Sequence, residues 1–403
     1  MSSESSGGNA VVSKSAPFDG ESDKVSAIRE EYRRVLGKTE GMQRGFTSGT
    51  CALAASKAAL LLLTGELSPE DEEETVEVVL KKNIRLVLPV FKLELENGQA
   101  SVSIIKDSGD DDDVCHAKEF SASLSWSDKP GIEIRGGRGV GKATRPGLPV
   151  KPGEWAVNPG PRKMINDNLS PLIPAGKGLE IVLSVPEGEG LARQTWNPRI
   201  GIEGGISIIG TSGVIEPRSA SAYKASIALV AKSRKALGEN NLYITPGYVG
   251  DGFYQKQFSL VEDEILRFGD HAGFALNQGP SKGFKHVHLA AHIGKMSKIA
   301  AGLFNTHCKT GDARLETVAA LAGAAGADRE QIRTILEMKM AEEAVSFLQD
   351  ARLEETFELM ALRTEQRIKA LWQKDYDTLP ELHLYILDLE GNLLGTNFPG
   401  GNK

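Results

Sequence analysis

The chain has 403 residues, 40% of them hydrophobic and 25% charged, with a net charge of −7. That length accommodates two or three domains with a proper core, and the acidic balance argues against nucleic acid as the main partner, because a phosphate-tracking surface needs a basic excess. The three cysteines, Cys51, Cys115 and Cys308, are too scattered for a disulfide framework or a cysteine-rich zinc site and fit a reducing cytoplasm. The longest apolar run, roughly Cys51 to Leu63, is broken by Ser56 and Lys57 and falls short of a membrane span. No apolar signal region opens the chain. The expected location is cytoplasmic, with no membrane partner.

Residues 1–40 read as a disordered or weakly helical extension: the first stretch is Ser, Gly and charge with little to bury, and a short helix is expected near Ser26 to Leu36. Residues 41–195 read as an α+β domain. Ser48 or Thr50 can cap an Ala- and Leu-rich helix that ends before Gly65. After it, the strand-like runs VEVVL, IRLVLPVFKLEL, ASVSIIK, GIEIRG and LEIVLSV alternate with turns.

From 196 to 330 the rhythm changes to strand-helix alternation, which argues for a small α/β domain with a parallel sheet of about four strands. Its expected elements are a strand at Ile206 to Ile209, a helix capped by Ser219 or Ser221, a strand at Leu242 to Thr245, and a helix near Phe258 to Phe268. Strands near Gly273 to Leu276 and Val287 to Ala290 follow. Residues 331–403 are expected to form C-terminal helices, opened by an Asp328 and Gln331 capping box, and a hairpin turning at Glu390-Gly391-Asn392.

Several clusters carry chemistry. Gly136 to Ala143, GGRGVGKA, approaches a phosphate-binding loop, but Ala143 stands where the magnesium-holding hydroxyl belongs, and Pro146, Gly147 and Pro149 disfavour the following helix. A magnesium-dependent phosphotransferase is thereby disfavoured. What remains is a loop turning Arg138, Lys142 and Arg145 toward an anion, or a solvated turn. The acidic run Asp107 to Asp113 reads as a magnesium or calcium site, or more simply as a solvated loop; alternatively Asp107 and Asp110 line a cleft.

His286, His288 and His292 have a spacing that a metal site can use, yet no acidic residue or cysteine close in sequence completes it. His292-Ile293-Gly294-Lys295 ends a strand and opens a helix, the usual place for ligand contacts in a parallel sheet. Asn305-Thr306-His307 with Asp312 and Glu316 forms a further polar cluster, with capping of the Leu315 helix as the plainer reading. Asn197 to Pro217 sets five glycines around Ile206 to Ile209, a strand and glycine loop of the kind that presents backbone N–H groups to a ligand. There is no G-x-G-x-x-G fingerprint and no nucleophile elbow.

Together the blocks GFTSGTCALAASKAA at 45–59, KDSGDDDDVCH at 106–116, GGRGVGKATRPGLPVKPGEWAVNPGPRKMI at 136–165, the 197–217 block, PGYVGD at 246–251 and HIGKMSKIAAGLFNTHCKTGDARLE at 292–316 resemble one family in the same order. It is the cobalt-precorrin-5B C(1)-methyltransferases, the CbiD family, and the resemblance covers roughly residues 42–330. Ala291, Cys308, Cys115, Asp112 and Trp196 depart from the pattern, and His286 and His288 lie outside it.

The resemblance implies methyl transfer from S-adenosyl-L-methionine to ring carbon 1 of cobalt-precorrin-5B, giving cobalt-precorrin-6A, in the anaerobic, early-cobalt route of cobalamin biosynthesis. It also implies an α+β domain followed by a small parallel α/β domain, a small-molecule corrinoid partner, and no protein-bound metal. On this reading Arg138, Lys142, Arg145, Asn158, Arg162, Arg199, Asn305 and His307 meet the corrinoid. Gly204, Gly205, Gly210, Thr211, Ser212, Gly213, Gly247 and Gly250 surround the cofactor. His292, Lys295 and Asp107 orient the ring or accept a proton. A non-catalytic tetrapyrrole carrier of the same fold is the alternative, and a homo-oligomer is compatible with either.

Overall fold

A computed structural model describes residues 22–68 and 74–398; the first part of the expected N-terminal extension lies outside them. The chain divides into two compact units, residues 1–144 with 149–219, and residues 145–148 with 220–403. Among the described residues no helix is long and apolar enough to cross a membrane.

The first unit is built on a buried helix. Helix α1 (Asp23–Leu36) is capped by Ser22 and buries Tyr32 and Leu36. Helix α2 (Ser48–Thr64) is capped by Thr47, whose side chain accepts from the Thr50 N–H, and not by Ser48 or Thr50; Gly65 ends it in the left-handed region. Its sequence is apolar all round, as a helix enclosed on every side requires, and Cys51 through Ala55 are buried together with Ala58 to Leu60.

Strands β1 (Thr75–Val79) and β2 (Arg85–Pro89) form an antiparallel pair. Strands β3 (Lys92–Glu96), β4 (Gln99–Ile105), β5 (Glu119–Ser127), β6 (Gly131–Gly136) and β7 (Gly178–Ser184) make a sheet of order β3-β4-β5-β7-β6, antiparallel except for β7 with β6. The sequence reading passes over β5. Its inward residues Phe120, Ala122 and Leu124 are buried, but they alternate with serines, so the apolar signal is thin. Helix α3 (Pro159–Leu169) packs against α2.

The expected strand at Ile206 to Ile209 is not a sheet strand. Ile206 and Ile208 make isolated parallel bridges to Val140 and Val157, and both are buried in the first unit's core. The 197–217 block therefore belongs to the first unit, and the division falls after Ser219 instead of at 195/196.

The second unit carries an open sheet of order β9-β8-β10-β11-β12, from β8 (Asn241–Thr245), β9 (Ile265–Arg267), β10 (His286–His292), β11 (Glu381–Leu387) and β12 (Leu393–Thr396). The first four are parallel and β12 is antiparallel to β11. The fourth parallel strand thus comes from the expected C-terminal hairpin, so residues 331–403 contribute to this unit's sheet and are not an appendage.

Helix α4 (Ala220–Ala236) precedes β8. Helix α5 (Tyr248–Phe258) precedes β9, which occupies the place of the helix expected near Phe258 to Phe268. The glycines of PGYVGDGF lower helix propensity, but Gly250 is required there: an added Cβ would meet Thr245 Oγ1 at 2.0 Å and Ala290 O at 2.8 Å. Gly273 to Leu276, expected as a strand, lies in α6 (Ala272–Lys282), whose buried Ala272, Ala275, Leu276 and Gly279 trace one helical face. Short apolar runs carry that ambiguity by nature.

Helices α7 (Ile293–Ala300), α8 (Arg314–Ala324), α9 (Arg329–Glu337), α10 (Glu343–Asp350) and α11 (Glu355–Trp372) complete the unit. Asp328 and Gln331 form the expected capping box of α9. Helix α11 packs on α7 and β12, and Trp372, fully buried, donates its indole N–H to Leu276 O at 3.2 Å.

Candidate active site

In the second unit the chain runs from β8 outward to β9 and then back past β8 to β10. The connections leave β8 and β10 in opposite directions, and the carboxyl ends of such a strand pair are where parallel sheets have their ligand crevice. Thr245-Pro246-Gly247 and the start of α5 stand at this end, as does His292 at the N-cap of α7.

Two hydrogen-bonded pairs stand at this end. His292 Nδ1 lies 3.0 Å from Glu342 Oε1. The His292 hydrogen bond holds the Glu342 carboxyl below its ordinary range despite burial. With Glu342 ionised, Nδ1–H is the donor in this bond, which leaves Nε2 as the ring nitrogen not engaged by Glu342. Lys295 Nζ donates to Asp270 Oδ1 at 2.6 Å, and Thr306 Oγ1 donates to the same oxygen at 3.2 Å. Burial would raise the Asp270 carboxyl, but the Lys295 hydrogen bond and charge bring it down.

Arg267, at the end of β9, pairs with Asp251 of α5 and sits 4.3 Å from the Tyr248 ring centroid. Arg314 holds Asp312 through bonds of 2.8 and 2.7 Å, and the hydrogen bonds lower that carboxyl to about 2.

The structure thus brings His292, Lys295, Gly247 and Gly250 to one end of one sheet. Asn305 and His307 follow α7 on an exposed loop of the same unit, where Asn305 Oδ1 accepts from the His307 N–H at 3.1 Å. Arg145 also belongs to the second unit, 3.6 Å from Asp263. Sequence reasoning missed Asp270 and Glu342. Glu342 lies 50 positions beyond His292, in the region outside the resemblance, and nothing local marks it.

The remaining expected residues are in the first unit. Asp107 is buried, accepting from Tyr32 Oη and Arg33 Nε at 2.9 Å each and from the Gly109 N–H at 2.9 Å. Burial would raise its carboxyl; Arg33, the Gly109 amide and Tyr32 hold it below the usual range. Asp113 takes Lys106 Nζ at 2.6 Å, and Lys106 is itself buried. Asp110 accepts from the Gln43 N–H at 2.6 Å. Asp107 and Asp113 are accordingly bonded into the fold while Asp110 and Asp112 are exposed, and Asp107 acts as an anchor for α1.

Arg162 donates to Val157 O at 2.8 Å and to Ile134 O at 3.1 Å, which fixes the chain entering α3. Asn158 occupies the N-cap of that helix. Arg138 and Lys142 are exposed, with Lys142 Nζ 4.2 Å from the Trp155 ring centroid. Arg199 lies over Trp196 at 5.1 Å.

Of the glycines expected around a cofactor, Gly205, Gly210 and Gly213 pack closely inside the first unit. A Cβ on Gly205 would meet Gly139 O at 2.2 Å, and one on Gly210 would meet Thr47 Oγ1 at 2.2 Å. Gly210 and Gly213 also have φ of 126° and 87°. The segment lies on the first turn of α2: Gly49 N–H donates to Ile209 O at 2.8 Å, and Thr47 N–H and Thr50 Oγ1 donate to Gly213 O at 2.9 and 2.7 Å. Gly204, Thr211 and Ser212 are exposed.

A mixed first unit and an open, mostly parallel second unit define a two-unit α/β protein of the class whose ligand contacts gather at strand ends. A family model described as CbiD matches residues 36–217, and one described as CbiD, C-terminal domain, matches residues 305–398. A protein of Thermoanaerobacter sp. (strain X514) is 40% identical over 89% of this chain and 96% of its own length. One of Moorella thermoacetica is 38% identical over 88% and 94%, and one of Clostridioides difficile (strain 630) is 32% identical over 91% and 97%. All three are described as cobalt-precorrin-5B C(1)-methyltransferase. A crystal structure of cobalamin biosynthesis protein (cbiD) from Archaeoglobus fulgidus is 29% identical, covering 68% of this chain and 84% of that one with a TM-score of 0.35. The chain belongs to the CbiD family.

Proposed function

We propose that this protein methylates ring carbon 1 of cobalt-precorrin-5B, giving cobalt-precorrin-6A, with S-adenosylmethionine as donor. The observation that carries this reading is identity of 40% along nearly the whole length of a relative bearing that name. The residues at the crevice fit the donor. Helix α5 starts at Gly247 without a side-chain cap, which leaves first-turn N–H groups to receive a methionine carboxylate. Tyr248 is 80% exposed and offers a ring face to adenine.

The donor supplies an electrophilic methyl on a sulfonium. The chain's own work is to align that methyl with carbon 1 and to exclude water. Methylation leaves positive charge on the ring system, which is relieved when a proton departs. His292 Nε2, an acceptor because Glu342 holds Nδ1–H, takes that proton. Lys295 is fixed by Asp270 and Thr306 and places a positive charge beside the crevice for a ring carboxylate. Asn305 and His307 of the same unit supply further contacts to the carboxylates.

Incubation with S-adenosylmethionine and cobalt-precorrin-5B, followed by mass spectrometry, tests the reading. The expected result is a corrinoid heavier by one methyl and an equivalent of S-adenosylhomocysteine. Corrinoid binding without any donor binding would instead establish the carrier alternative.

A further inference from the structure

The opposite end of the same sheet holds a cluster that methyl transfer does not use. Strands β10 and β11 are parallel and in register, His286 beside Glu381 and His288 beside His383. Alternate residues share a face, so these side chains stand together at the strands' amino ends. His292 lies six residues further along β10, about 20 Å away at the usual strand rise.

His286 Nδ1 is 3.3 Å from His383 Nε2 and 3.3 Å from Glu381 Oε2. His383 Nε2 is 3.7 Å from Glu381 Oε1. Ligands at ~2.0–2.1 Å around a tetrahedral ion stand about 3.3–3.4 Å apart; the two imidazole nitrogens already have that spacing, and each has one oxygen of the Glu381 carboxylate within 3.7 Å. The His383 ring is clamped between His288, stacked at 4.4 Å and 10°, and the edge of Phe398 at 5.6 Å. His288 is fixed in turn by Asn241 Oδ1 at 3.1 Å and Tyr385 Oη at 3.3 Å. The cluster opens outward, since the Glu381 side chain is 65% and that of His286 36% exposed, which leaves room for water as a fourth ligand.

We propose that His286, His383 and Glu381 bind a divalent first-row transition ion of zinc type. Two imidazoles and one carboxylate suit zinc, cobalt(II) or nickel over magnesium or calcium, which prefer all-oxygen shells. The ion ties β11 to β10. In sequence the site is invisible because the carboxylate and second imidazole that complete it come from the C-terminal hairpin.

The test is zinc titration of the full chain by calorimetry after chelator treatment and dialysis, with cobalt(II) absorption as a probe of geometry. One ion per chain is expected, with a tetrahedral-type cobalt spectrum and a rise in melting temperature on adding zinc. His286→Gln and His383→Gln should each weaken binding at least about tenfold, while His307→Gln and Cys308→Ser leave it unchanged. His286→Gln and Glu381→Gln replace partly exposed groups, and circular dichroism checks that they fold. No saturable zinc binding by the wild-type chain would overturn the proposal. So would binding that survives His286→Gln but is lost in His307→Gln or Cys308→Ser. Neither result bears on methyl transfer, which the proposed ion does not serve.

Discussion

Glu342 and His292 are held 3.0 Å apart, and the pair has consequences for both rate and stability. Glu342→Gln removes the charge that fixes the His292 tautomer, so kcat should fall by about 10- to 100-fold with little change in KM; an unchanged kcat would remove His292 from the proton's path. The hydrogen bond lowers the folded Glu342 carboxyl below its ordinary 4.5. The pair's stabilisation is therefore fully present above that unfolded value and is lost as pH falls through the folded one. Melting temperature measured from pH 5 downward should decline less steeply in Glu342→Gln than in the wild type. Asp107 behaves differently because its partners are Tyr32, Arg33 and the Gly109 amide. Asp107→Asn should cost about 2–3 kcal/mol in denaturant unfolding; full stability with lost turnover would return this residue to the substrate. In sequence His292 stands out by its place between strand and helix, whereas Asp107, a carboxylate in a glycine-flanked acidic run, looks alike whether it meets a ligand or an arginine of α1.

At the scale of elements, the 207–213 segment shows how packing can demand glycine. Its glycines permit contact with the first turn of α2, where Gly210 faces Thr47 and Gly213 faces Thr50 and Leu80. Gly210→Val would force a β-branched residue into φ of 126° against Thr47, at a cost of about 2–4 kcal/mol. Denaturant titration should show that loss, and donor affinity of the remaining folded protein should be unaltered. Selective loss of donor binding at full stability would restore this loop to the cofactor site. Pattern reading found the capped helices α2 and α9 and the strands β8 and β10, where period and punctuation agree. It failed for α5, whose Gly250 is demanded by Thr245 and Ala290, and for β5, whose serines hide the alternation.

For the whole molecule, the mixed α/β character and the strand-helix rhythm after Ser219 were legible, whereas the partners of β11 were not. Nothing local says that a C-terminal hairpin strand will lie beside β10, since that pairing depends on contacts across nearly a hundred residues. The pairing buries Leu382, Leu384, Ile386 and Leu387. A chain ending at residue 380 should therefore lose cooperative unfolding of the second unit and become sensitive to limited proteolysis there; an intact, protease-resistant unit would show that β11 is dispensable. The family models bracket the same organisation, one ending at 217 near the division after 219 and the other covering 305–398. The central claim is methylation of carbon 1, and carbon NMR of the corrinoid after turnover with S-adenosylmethionine labelled with carbon-13 in the methyl group tests it most directly. One new labelled methyl on ring carbon 1 is the result this account predicts. A labelled methyl on another carbon, or a corrinoid that stays unlabelled in the presence of both substrates, would contradict it.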